Sequence, residues 1–193
     1  MQLRLTYAGP IYSEQSETGK RLNQKHVLRK HFHRQLKRLW AIHPILKNTK
    51  RFNMDRGDYD IIDDLSKRFS LNNFNFVPLV IGDRNAPSCS VHVLMLRKEA
   101  PGQIIKSGDI DRRLTIIFDA LMIPPVGQLQ ADLEPEQDEK PFYCLLESDS
   151  LITQIAVDTD TLLEAVDNAW DDNTFRLLVT IELSPPFLHT PQF

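Results

Sequence analysis

The chain has 193 residues, 41% of them hydrophobic and 25% charged, with a formal net charge of -3. That length suits one domain with an ordinary core, and no run of about 18 apolar residues marks a membrane span. Cys89 and Cys144 stand alone without a CxxC spacing, so neither a disulfide framework nor a structural zinc site is indicated.

Residues 3–8 (LRLTYA) read as a first strand, followed by a Gly-Pro turn. The N-terminal residues lack a basic-then-apolar leader, so the expected location is the cytoplasm. From Leu22 to Ala41 the pattern is helical. Leu28, Phe32, Leu36 and Leu39 keep one stripe, Trp40 extends it, and Pro44 ends it. Ile61, Ile62, Leu65 and Phe69 predict a shorter helix within 58–70. Residues 74–81 and 89–97 are expected strands around the turn GDRNAPS, with Pro78 weakening the first or placing it on an edge. A helix over 110–122 follows, with Leu114, Ile117, Phe118 and Leu121 as its buried stripe. Residues 123–141 have no apolar period and read as a long exposed loop. Strands are expected over 151–157 and 174–183, before a Pro-rich tail. This order predicts an α+β fold, a small mixed sheet with helices packed on it, as a single domain over 1–193.

The net charge hides an asymmetry. Residues 1–108 hold 19 Lys/Arg against 9 Asp/Glu, and residues 109–193 hold 4 against 17. Between Thr18 and Met54 there is no acid, but there are 11 Lys/Arg and four histidines. Like charges at i,i+4 destabilise a helix unless an anion compensates. Phosphate is the usual external anion, so Lys25, Arg29, Lys30, Arg34, Lys37 and Arg38 are candidate nucleic-acid contacts. The plain alternative is a solvated basic face. The histidines show no clean metal spacing, and His26 and His33 are expected on the polar face of the helix. No Gly-rich phosphate loop is present.

Residues 108–121 (GDIDRRLTIIFDAL) place Asp109 and Asp111 where the third helix begins. Two readings compete there. An Asp caps a helix and complements its dipole, or the pair holds a hard divalent cation with a third oxygen donor from elsewhere. The segment LLESDSLI offers Glu147 and Asp149 for that third donor.

The run GDIDRRLTIIFDAL, then a loop, then ESDSLI leading into a strand, resembles the RusA family of Holliday-junction resolvases. That family shows a D-x-D-N-x-x-K signature opening a helix, D-A-L near the helix end, and a further Asp before a strand. The resemblance covers residues 89–183 through motifs and the N-terminal part by element order. It implies a RusA-like fold and a homodimer that cuts branched or double-stranded DNA. It also implies Asp109, Asp111 and Asp149 as catalytic ligands of Mg²⁺ or Mn²⁺, and Asp119-Ala120-Leu121 as the D-A-L element. Arg112 stands where the signature has Asn, and Thr115 where it has Lys; Arg113, at a different angle on the helix, is the candidate catalytic cation in compensation. These two departures define the alternative: a catalytically silent RusA-like protein that binds nucleic acid or a partner.

Overall fold

A computed structural model describes residues 1–12, 18–54, 57–82, 87–98, 110–130, 132–164 and 173–184. Its main sheet has the strand order β1-β9-β6-β8, with β1 Gln2–Pro10, β6 Ser88–Arg97, β8 Ile152–Thr161 and β9 Thr174–Ser184. β9 pairs antiparallel with both β1 and β6, while β8 joins β6 in parallel, so the sheet is mixed. The fold is α+β, as the element order predicts.

Period-2 alternation sends one set of side chains inward. Leu5, Val179 and Val93 form one buried row across three strands, and Leu3, Ile181 and Val91 form the next. Onto this face pack α1 (Thr18–Ile42) and α3 (Ile110–Leu121). The α1 stripe of Leu28, Phe32, Leu36 and Trp40 is buried as its spacing requires. Each such side chain contributes about 1.5–3 kcal/mol on removal from water.

α1 touches β1 on one side, and α3 and β7 (Phe142–Leu146) on others. β7 belongs to a second sheet of order β4-β5-β7, with β4 Ser70–Leu71 and β5 Phe74–Val80. Pro78 is accommodated because β4 pairs only with Phe74 and Asn75, and no other strand among the described residues lies on that flank of β5 further along. A two-stranded ribbon, β2 (Lys50–Asn53) with β3 (Gly57–Asp60), leads into α2 (Ile61–Arg68). Asp60 caps α2, its carboxylate accepting from the Ile62 amide at 3.0 Å. The Thr49 hydroxyl also donates to Asp60 at 2.6 Å and holds that carboxyl below the usual range.

The 123–141 segment differs from an exposed loop. Leu129 and Glu139 are buried, and residues Gln137–Glu139 form a 3-10 turn. Leu129 joins Phe74, Phe76, Phe142 and Cys144 in a second, smaller core.

Candidate functional site

α3 presents two aspartates in opposite settings. Asp111 lies in its first turn and is exposed. Its carboxylate makes no hydrogen bond or ion pair among the described residues, and only its carbonyl is used, accepting from Thr115 Oγ1 at 2.9 Å. Asp111 therefore does not cap α3 with its side chain. Asp109 lies outside the described residues. Asp119, near the helix end, is buried and forms an ion pair with Lys25.

Arg113 is turned inward. Its guanidinium donates to the Ile11 carbonyl and to Asn173 Oδ1 at 3.3 Å, and lies 4.6 Å from the centre of the Phe175 ring. It ties α3 to the ends of β1 and β9. Arg112 and Thr115 are exposed beside Asp111.

Asp149 opens a 3-10 turn (Asp149–Leu151) capped by Ser148 and is exposed. It lines a cleft with Arg68, Phe69, Met122, Pro124 and Glu147. Glu147 is committed, since its Oε2 accepts from the Gly82 amide at 2.7 Å. Met122 pairs with Leu146 just beyond the C-terminal end of α3. Eleven residues of helix separate Asp111 from Met122, about 16 Å at 1.5 Å per residue. Asp149 thus belongs to the far end of α3 from Asp111. Among the described residues no group of three or more His, Cys, Asp or Glu side chains is arranged to hold a metal ion.

The basic helix divides into two sets. Lys25 and Arg29 are buried. Lys25 Nζ also donates to Gln128 Oε1 at 3.2 Å, and Arg29 Nη2 donates to the Asp119 carbonyl at 2.9 Å. Burial pulls the Arg29 guanidinium down to about 10, well above neutral pH, so it stays charged. Lys30 pairs with Glu136 at 2.5 Å and Glu139 at 2.9 Å, and Lys37 donates to the Asp138 carbonyl. The chain's own acids thus balance Lys25, through Asp119 on α3, and Lys30, through Glu136 and Glu139, while Arg29 and Lys37 donate to backbone carbonyls. Arg34 and Arg38 form the second set: both are exposed and neither bonds to a described residue.

His26 and His33, expected on the polar face, are instead interior. His33 Nδ1 accepts from the Tyr143 amide at 2.8 Å, while Nε2 meets the Asp138 carbonyl at 3.2 Å, which fits the neutral ring protonated on Nε2. Burial lowers its pKa. His26 packs edge-on against Phe74 at 5.8 Å, and burial, then the Arg29 charge, pushes it down to about 4. The inward set was visible in the helix period. At about 100° per residue, Lys25 and Arg29 fall about 60° and 100° round from Leu28, inside the arc of the apolar stripe. Arg34 and Arg38 fall on the opposite side of the helix. No family model matches the chain, and neither a curated protein nor a solved structure was found to be similar to it.

Proposed function

We propose that the chain is a RusA-type protein that binds branched DNA, with Arg34 and Arg38 on the phosphate backbone. The observation that carries this reading is the contrast on α1. Lys25, Arg29, Lys30 and Lys37 each find an acceptor inside the chain, whereas Arg34 and Arg38, one turn apart, leave their mutual repulsion uncompensated at the surface. An external polyanion supplies the missing charge, and guanidinium forks suit phosphate oxygens. His31 stands near Arg34 on the same side of the helix, and burial first, then that arginine, lowers its pKa, so it adds no charge at neutral pH.

The test is binding to a four-way junction and to plain duplex across a salt series. Arg34→Ala/Arg38→Ala is expected to weaken binding and flatten the log–log salt slope by about 0.9 for each phosphate that is no longer neutralised. An unchanged slope, or no binding by the parent at low ionic strength, overturns the reading.

Strand cleavage is a second reading, favoured by Asp111. An exposed carboxylate without a partner is a donor of the type Mg²⁺ or Mn²⁺ takes. Such an ion would polarise a phosphodiester and activate a water when bound. Asp149, at the other end of α3, does not complete a donor set with Asp111. Junction cleavage in Mg²⁺ by the parent and not by Asp111→Asn would establish this reading; no cleavage by the parent leaves the protein a binder only.

A further inference from the structure

The main sheet ends on two edge strands, β1 and β8, and they are finished differently. On β1 the outward backbone of Thr6 is already used. Its N–H donates to Gln35 Oε1 at 2.9 Å and its carbonyl accepts from Gln35 Nε2 at 2.7 Å, so a side chain of α1 stands where a neighbouring strand would be. β8 has no such cover among the described residues. Its register fixes which groups are open. The Leu162 N–H donates to the Arg97 carbonyl at 2.6 Å, and alternate residues of a paired strand turn the same way, so Asp160, Asp158 and Ala156 bond to β6. Ile155, Val157 and Thr159 therefore direct both N–H and C=O away from the sheet. The outward amide of Thr161 closes the series by donating to Asp160 Oδ1 at 2.7 Å. The register shift at Cys89/Ser90 precedes these residues, and the strand ITQIAVDTDT carries no Pro and no Lys, which commonly blunt an edge.

We propose that the β8 edge takes up an extended cationic segment of a partner protein as an added strand. In that mode main-chain hydrogen bonds supply the affinity, and alternating side chains supply the selectivity. An added strand continues both faces of the sheet. On the inner face its residues come beside Ile155, which is 53% exposed, and Val157 at the margin of the main core. Apolar side chains suit those neighbours. On the outer face its residues come beside Asp158 and Asp160, both exposed and neither paired with a Lys or Arg among the described residues. Asp158 lies 2.8 Å from His92 Nε2, which holds its carboxylate on that face. Opposite charges on neighbouring strands stabilise a pair and like charges destabilise it. The occupant is thus a segment in which apolar residues alternate with Lys or Arg. The same rule disfavours edge-to-edge pairing of two β8 strands, because that sets the aspartates of both against each other. The inference needs neither DNA nor metal and stands apart from the functional reading above.

Residue-resolved amide hydrogen exchange on the full chain tests it, with a peptide of alternating lysine and valine about nine residues long, the span of one strand. Without peptide the amides of Ile155, Val157 and Thr159 are expected to exchange fast, and saturating peptide should slow them about tenfold or more. A glutamate–valine peptide should leave them unchanged. Asp158→Lys/Asp160→Lys is expected to invert the preference, so that the glutamate–valine peptide protects and the lysine–valine peptide does not. Damage to the fold cannot produce such an inversion. Ile155→Pro removes one outward donor and spares the bonds to β6, because an edge tolerates proline. Its circular dichroism should be unchanged, and its peptide affinity should fall about fivefold, the net contribution of one hydrogen bond. Slow exchange at the three amides in the free chain overturns the proposal, because the edge is then already occupied. Protection independent of protein concentration would assign the occupant to the chain itself, and protection that rises with concentration to a second copy. A lysine–valine peptide that protects nothing, or that protects the charge-reversed variant equally, overturns it as well.

Discussion

Asp111 and Asp119 sit on the same helix, eight residues apart, and their surroundings are opposed. Asp119 is buried against Lys25, with Arg29 bonded to its carbonyl; Asp111 stands in water with its carboxylate unused. The first holds α3 to α1. The second contributes nothing visible to the packing and is available to a ligand. A carboxylate's role in this chain is therefore set by which cation the fold brings to it, and its position in a motif does not settle the matter.

The largest test of that contrast is Asp119→Ala. It leaves Lys25 charged and buried without its partner, and breaking a buried pair in this way costs about 3–5 kcal/mol. Urea unfolding should show the loss as a lower midpoint. The double variant Lys25→Met/Asp119→Leu should recover most of it, because it removes both charges and keeps the volume. Failure of the double variant to recover would assign the cost to shape rather than charge.

Acid probes the same interface more gently. His26 is neutral in the fold, with its pKa pushed down to about 4, against about 6.5 when unfolded. Between those values the unfolded chain binds the extra proton, so stability falls as pH drops from about 6.5 towards 4 and this contribution levels off below. His33 is shifted in the same direction. A melting-temperature series over pH should show the decline, and His26→Leu should make it shallower. An unchanged slope in that variant would remove His26 from the account.

The smallest effect is expected at the other end of the helix. Asp111→Asn changes an exposed group with no partner, so metal-free stability should stay within about 0.5 kcal/mol of the parent. A melt well below the parent would show that Asp111 stabilises the helix start after all, and the contrast with Asp119 would fail.

Periodicity located most of the elements. The 110–122 helix, the 174–183 strand and the α1 stripe are found almost where the spacing puts them. β7 was not legible as a strand, because FYCLL is buried throughout and shows no alternation. A strand covered on both faces reads as a plain apolar run. The ribbon β2–β3 is four residues a side and mostly exposed, too short for a period to register. The 123–141 segment looked solvated because its acids dominate, yet Glu136 and Glu139 lie against Lys30 of α1.

What the sequence determined by itself is local: which residues share a helix face, where Pro44 stops α1, and that residues 18–54 lack any acid to balance their cations. Helical and strand periods act over a few residues, so a short window reveals them. Which anion balances those cations was decided by tertiary structure alone. Lys30 pairs with an acid 106 positions away, and Arg29 donates to the carbonyl of a residue 90 positions away. Coulomb attraction between such partners depends on distance in space, and chain order carries no record of that distance until α1 and the acidic segment have packed together. The burial of Asp119 has the same origin, because the Lys25 that pairs with it arrives from a different helix.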